Sequence, residues 1–183
     1  RRARERLQPV KYECIGCEVC YPAIAVNAMG VEADACPAEN VSERAGWPPL
    51  PGAYRLVRYG APVAVCTLTD DTLMQSLAAH PDAGLSIVGT LQTENLGIER
   101  LIANVLANPN IRFLVVCGSD SRKAVGHLPG QSLVALARFG LDEDFRIIGA
   151  GGKRPRIRNI GRDGVEHFRR TVEVADLVGE SEI

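Results

Sequence analysis

Beyond residue 60 the sequence alternates short branched apolar runs with stretches of helical periodicity, and that alternation constrains the fold more than any other feature. Pro62-Val63-Ala64-Val65-Cys66, Leu85-Ser86-Ile87-Val88 and Phe113-Leu114-Val115-Val116-Cys117 are too short for helices and are bounded by turn residues. Continuous apolar runs of that length are the signature of strands covered on both faces. We predict strands at 63–68, 85–88, 111–117, 146–150 and 172–178. Between them, Asp70 or Asp71 can cap a short helix that ends before His80-Pro81. Asn95 can cap a helix whose face carries Ile98, Leu101, Ile102, Val105 and Leu106, spaced i, i+3, i+4, i+7, i+8. Asn108-Pro109-Asn110 stops it, and further helices are expected at 131–139, closed by Gly140, and at 162–170. The expected class is α/β, a parallel sheet with helices on both faces.

Composition removes several alternatives. The 183 residues are 46% apolar, enough to build a core without covalent staples. A net charge of −1 and few aromatics (one Trp, four Tyr, four Phe) argue against phosphate-dominated or base-stacking binding of nucleic acid. No uncharged apolar run approaches the roughly 18 residues of a membrane span. The chain opens on Arg1-Arg2-Ala3-Arg4-Glu5-Arg6, without Met or an apolar signal region, and reads as a fragment from a cytoplasmic protein.

The cysteines carry the strongest local signal. Cys14, Cys17 and Cys20 form C-x2-C-x2-C, and Cys36 is followed by Pro37. Three thiolates in one tight turn with a remote Cys-Pro match the ligand pattern of a [4Fe–4S] cluster. The alternatives are a four-thiolate zinc site, which usually draws on two separated C-x2-C pairs, and a disulfide, which such close spacing disfavours. Gly16 allows the tight turn, and Pro22-Ala23-Ile24-Ala25-Val26 can cover one side of a cluster. Cys66 and Cys117 end apolar runs and read as core residues. The stretch Gly46-Trp47-Pro48-Pro49-Leu50-Pro51-Gly52 marks a boundary, giving a small N-terminal iron–sulfur module at 1–46 and a second domain at 47–183.

In a parallel sheet, ligands bind beyond the carboxyl ends of the strands, here the loops 67–70, 89–95, 118–130 and 149–155. None carries G-x-G-x-x-G or G-x4-G-K-[ST], so a dinucleotide or P-loop site is not expected. Of three histidines, His80 and His167 fall on predicted helices and read as surface or capping residues. His127 lies in a strand-end loop, Gly126-His127-Leu128-Pro129-Gly130, where an imidazole could meet a metal or simply bond to backbone.

Several blocks resemble the corrinoid-carrying component of tetrahydromethanopterin S-methyltransferase, its A subunit. They are Thr93-Glu94-Asn95-Leu96-Gly97-Ile98-Glu99, Ile102-Ala103-Asn104, Asn108 to Phe113, Cys117-Gly118, Gly126-His127 and Gly130-Gln131, with Ile147-Ile148-Gly149-Ala150 and Val172 to Leu177 beyond. The resemblance runs in order over about 47–178 and implies a Rossmann-like sheet that holds cobalamin. It makes His127 the candidate lower axial ligand to cobalt. With the strand-end loops it nominates as corrinoid contacts Thr67, Leu68, Gly89, Thr90, Thr93, Glu94, Asn95, Leu96, Gly97, Gly118, Gly126, Leu128, Gly130, Gln131, Gly149 and Ala150. The family enzyme moves a methyl group from a pterin to a thiol at a membrane, whereas a soluble form without an anchor after residue 178 is expected here. In the D-x-H-x-x-G pattern of other cobalamin domains the Asp position is Val125 in this sequence, which implies an imidazole without its carboxylate partner and a weak axial bond.

The expected function is therefore a corrinoid iron–sulfur protein that carries methyl groups between methyltransferase partners using a pterin or folate donor. The cluster, fed by a reductive activator or ferredoxin, would supply the electron that restores the corrinoid after oxidation. The alternative is an iron–sulfur electron-transfer module whose α/β domain is a docking scaffold without cobalamin. Residues 153–170 hold seven cations, Lys153, Arg154, Arg156, Arg158, Arg162, Arg169 and Arg170, against Asp163 and Glu166. That segment is a solvated face, a docking surface or a partner for the nucleotide-tail phosphate.

Overall fold

The computed structural model describes residues 44–80, 84–120, 126–153 and 155–182. Cys14, Cys17, Cys20 and Cys36, and with them the iron–sulfur module, lie outside the described residues, as does Val125. The elements in order are β1 (Tyr54–Leu56), β2 (Val63–Cys66), α1 (Asp71–Ala78), β3 (Leu85–Gly89), α2 (Leu96–Leu106), β4 (Phe113–Gly118), α3 (Pro129–Phe139), α4 (Arg162–Thr171) and β5 (Glu173–Val178).

One five-stranded sheet runs β1-β3-β2-β4-β5. β3, β2, β4 and β5 are parallel; β1 pairs antiparallel with β3, Tyr54 opposite Gly89. The sheet is thus mixed, not wholly parallel as expected. The strand predicted at 146–150 is also absent. Ile147 and Arg146 make only isolated bridges, to Leu141 and Arg156. Ile147 is buried but Ile148 is 44% exposed, and Gly149 turns the chain at φ 76°. β5 already occupies the edge beside β4, so that segment has no strand to join.

The helices divide unequally between the two faces. Leu114 and Val116 of β4, with Ala64, Cys66 and Ile87, face a core filled by Ile98 and Ile102 of α2, Leu133 and Leu136 of α3, and Val165 and Phe168 of α4. Val65, Leu85, Val88 and Cys117 face the other way, against Leu73 and Met74 of α1. The order explains the division: β2–α1–β3 steps one way along the sheet, while both later crossovers step the other way, and right-handed connections then fall on opposite faces.

Local signals set the helix positions. The Asp70 carboxylate accepts from the Leu73 N–H at 2.8 Å and caps α1. At α2 the expected cap fails: the Asn95 side chain makes no cap bond, and Thr93 Oγ1 accepts from the Gly97 N–H at 2.9 Å instead. Ile98 and Ile102 are fully buried. Each contributes about 2 kcal/mol of apolar burial, which ties down the loop in front of α2. The Pro/Gly-rich stretch lies against the same helix. Trp47 is buried, its Nε1–H donates to Asn104 O at 2.8 Å, and Asn104 exchanges two further bonds with the Leu50 backbone.

The turn after β5 returns to the sheet: the Gly118 N–H donates to Glu180 O and the Gly179 N–H to Gly118 O. Among the described residues no helix is long and apolar enough to cross a membrane.

Cys66 and Cys117 are buried and unpaired, as expected for core thiols, on opposite faces of the sheet. Burial pushes the Cys66 thiol up to about 12 and raises that of Cys117. Since the thiolate is the nucleophile, Cys66 in the folded protein is expected to resist alkylation at pH 8, reacting only as fast as the chain unfolds. Peptide mapping after timed iodoacetamide exposure, with and without denaturant, measures this.

Candidate functional site

The parallel strands bring Cys66, Gly89 and Gly118 to one edge of the sheet, and the loops beyond them meet above it. At their centre is Glu94, two residues before α2 begins at Leu96. The residue is 3% exposed. Its Oε1 accepts from the Leu128 N–H and from Ser132 Oγ–H, both at 2.9 Å. Its Oε2 pairs with His127 Nδ1 at 2.8 Å and accepts from the Lys153 N–H at 3.4 Å. One side chain thus joins the β3–α2 loop, the start of α3 and the α3–α4 connection.

Burial alone would push the Glu94 carboxyl up. The bonds from Leu128 N–H, His127, Ser132 and Lys153 N–H outweigh it and hold the carboxyl below its usual range. Glu94 is therefore a carboxylate and can only accept, so His127 Nδ1 must carry a proton. In the neutral ring Nε2 then keeps its lone pair, and among the described residues it has no protein partner. The imidazole is 39% exposed on the wall of a cavity of about 640 Å³ between the first turn of α2 and the α3–α4 connection.

The expected lack of a carboxylate is corrected here. The position two residues before His127 is Val125, yet Glu94 supplies the group from 33 residues upstream. The inferred weak axial bond loses its basis. Gly152 makes the arrangement feasible, since a Cβ there would lie 1.8 Å from Glu94 Oε1.

Other nominated residues divide into three groups. Glu94, Asn95, Leu96 and His127 line the large cavity. Gly89, Thr90, Thr93 and Gly97 line a second, more apolar cavity of about 300 Å³ on the other flank of α2, against Tyr54 and the strap at 51–53. The rest build the frame. Thr67 and Leu68 are fully buried, and Thr67 Oγ–H donates to Asp70 O. A Cβ at Gly118 would sit 2.4 Å from Thr67 O, and one at Gly130 would sit 2.7 Å from Leu68. Gln131 secures the glycine loop, its Nε2–H donating to Gly149 O and its Oε1 accepting from the Gly151 N–H. Ala150 packs against the core, while Gly126 is exposed beside the Lys153 stem.

Sequence reasoning missed Ser132, the Lys153 N–H and Asp120. Asp120 accepts from the Gly130 and Gln131 N–H groups, both at 3.0 Å, and so caps α3 from ten residues upstream. An Asp in a strand-end loop ahead of a Pro-Gly helix start was a legible signal for it. Nothing in the local sequence marks Ser132. His80 and His167 are exposed, as expected, with His80 Nδ1 against Ser76 O.

Residues 40–183 match the MtrA family, the A subunit of tetrahydromethanopterin S-methyltransferase. The chain belongs to that family. It is 43% identical over 141 residues to the A 1 subunit of tetrahydromethanopterin S-methyltransferase from Methanothermobacter marburgensis, covering 76% of this chain and 56% of that protein. It is 46% identical over 133 residues to the A 2 subunit from Methanothermobacter thermautotrophicus, covering 72% of this chain and 69% of that one. The A subunit of the putative methyltransferase Mtx from Methanosarcina acetivorans is 44% identical over 133 residues, 73% of this chain and 62% of its own length. The chain thus spans little more than half the length of the A 1 protein it matches. Every residue of the Glu94–His127–Ser132 arrangement falls within the MtrA match.

Proposed function

We propose that residues 47–183 bind a corrinoid and carry a methyl group on it within a methyltransferase system, with His127 as the protein's ligand to cobalt. The observation that carries this reading is the Glu94–His127 pair, which commits Nδ1 to a buried carboxylate and leaves Nε2 on a cavity of about 640 Å³. Among the described residues no three His, Cys, Asp or Glu side chains gather to chelate a bare ion. A metal already held by a macrocycle would need only one protein nitrogen, and that is the donor set His127 would supply. Membership of the MtrA family supports the same assignment.

When bound, the corrinoid cobalt supplies the chemistry of accepting and releasing the methyl group. The protein's own part is positional. Glu94 fixes the imidazole tautomer and ring plane, while Leu128, Ser132 and Lys153 hold Glu94 in turn. We further propose that Cys14, Cys17, Cys20 and Cys36 ligate a [4Fe–4S] cluster in a module at 1–46, and that its single electron restores the carrier after oxidation. The partners in this scheme are a methyltransferase with a pterin or folate donor, an acceptor enzyme and an electron donor such as a ferredoxin.

Electron paramagnetic resonance of the Co(II) corrinoid complex tests the assignment. An axial nitrogen splits each cobalt line, and His127→Ala is expected to abolish that splitting. Unchanged splitting in the variant would rule out His127 as ligand. Iron, sulfide and cobalt assays on anaerobically purified protein test the pairing of cofactors. Uptake of iron and sulfide without any corrinoid would leave the electron-transfer scaffold as the function.

A further inference from the structure

The large cavity carries more positive charge than its neighbours neutralise. Arg146, Lys153, Arg156 and Arg158 line it against two carboxylates, Glu94 and Glu99. Both carboxylates are committed to other donors. Glu94 serves the four partners already described, and Glu99, 3% exposed, accepts from the Arg158 and Asn159 N–H groups and from the Asn159 side-chain amide. Arg156 uses its backbone N–H toward Asn95 Oδ1, and its guanidinium reaches only Asp144, at 3.9 Å. The charged ends of Arg146, Lys153 and Arg158 have no carboxylate partner among the described residues. The α3–α4 connection is thus anchored through its backbone, which leaves Arg146, Lys153 and Arg158 unpaired among the described residues, and Arg156 only loosely paired, along a concave, polar space beside an imidazole.

A space of that shape and charge suits a compact anion on the same molecule that His127 contacts. We propose that this basic pocket binds a phosphate ester of the bound corrinoid, so that the site selects corrinoids carrying the phosphate-linked tail over those lacking it. The proposal rests on the corrinoid reading above. Planar guanidinium groups bind phosphate oxygens in pairs.

The test compares cobinamide with cobinamide phosphate, which differ only in that group, by spectral titration of the full chain. The wild type is expected to bind cobinamide phosphate at least about ten-fold more tightly, the effect of one well-placed charge-assisted contact. Raised salt should narrow the gap, and millimolar inorganic phosphate should compete with cobinamide phosphate but not with cobinamide. In Arg156→Gln/Arg158→Gln the ratio should fall to about one. Neither anchoring bond uses the replaced side chains, and circular dichroism with thermal melting confirms the fold. Lys153→Gln, with its backbone bond likewise intact, should give a partial loss. Equal affinities in the wild type, or a ratio unmoved by these variants, would overturn the phosphate site while leaving corrinoid binding in place. Failure of both compounds to bind would overturn the corrinoid reading itself.

Discussion

Glu94→Gln is expected to yield a folded protein in which His127 Nε2 no longer offers a lone pair to the cavity. The amide keeps the carboxylate's shape but offers one acceptor oxygen in place of two. Oε1 has the stronger claim on that oxygen, because Leu128 N–H and the buried Ser132 hydroxyl both need it. The amide nitrogen then faces His127 Nδ1 and donates to it. Nδ1 becomes the acceptor, the proton moves to Nε2, and the nitrogen on the cavity turns from acceptor to donor. Nitrogen-15 NMR of the imidazole should report this tautomer change even without corrinoid. With corrinoid, the nitrogen splitting of Co(II) should vanish, as is expected for His127→Ala. Stability should fall by about 1–2 kcal/mol, because charge-assisted bonds become neutral ones.

The same residue sets an acid limb of stability. Its carboxyl lies below the ordinary glutamate value in the folded protein. Its contribution is therefore fully present above that ordinary value and is lost as pH falls through the lower folded value. Chemical denaturation across this window should show the wild type losing more stability toward acid than Glu94→Gln does.

Gly118→Ala is the second large expected effect, and here the loss is of the fold. Gly118 has φ 79°, and a Cβ built on it lies 2.4 Å from the Thr67 carbonyl oxygen. That oxygen belongs to backbone already fixed twice, by Thr67 N–H to Gly89 O and by Asp70 N–H to Thr67 O. No flexible side chain can yield, so the strands themselves would have to part. We expect a cost above about 3 kcal/mol, enough to unfold a marginally stable domain. Gly179→Ala isolates the dihedral part of the penalty. Gly179 has φ 101° but nothing within 4 Å of its Cβ position, so that variant should lose only about 1 kcal/mol. Denaturant midpoints of the two variants separate clash from conformational strain.

What could be read from the sequence followed from periodicity and stopped where contacts became non-local. β2, β3 and β4 are apolar on both faces, and α2 carries five apolar residues at helical spacing, so each announced itself. β1 did not, because three residues on an antiparallel edge, two of them exposed, show neither alternation nor a continuous apolar run. The segment 146–150 misled for the converse reason: adjacent isoleucines suggest a strand, yet only Ile147 enters the core. In the site, His127 stood out by its setting between glycines in a strand-end loop. Its carboxylate partner did not, because a local D-x-H pattern looks two residues back, and the fold reaches across from another crossover. Glu94 could be nominated through its block of sequence, but its four bonds depend on loops that only the closed sheet brings together.

The pairing of Gly118 with the turn after β5 links the site to one edge of the sheet. β5 has no buried residue, and strands of that kind open locally long before the core does. When its end opens, Gly118 loses its bonds to residues 179 and 180. Ser119 and Asp120 follow directly, and Asp120 holds the first N–H groups of α3, three and four residues beyond the histidine. Order around His127 is therefore coupled, through Asp120, to the closing of an edge strand.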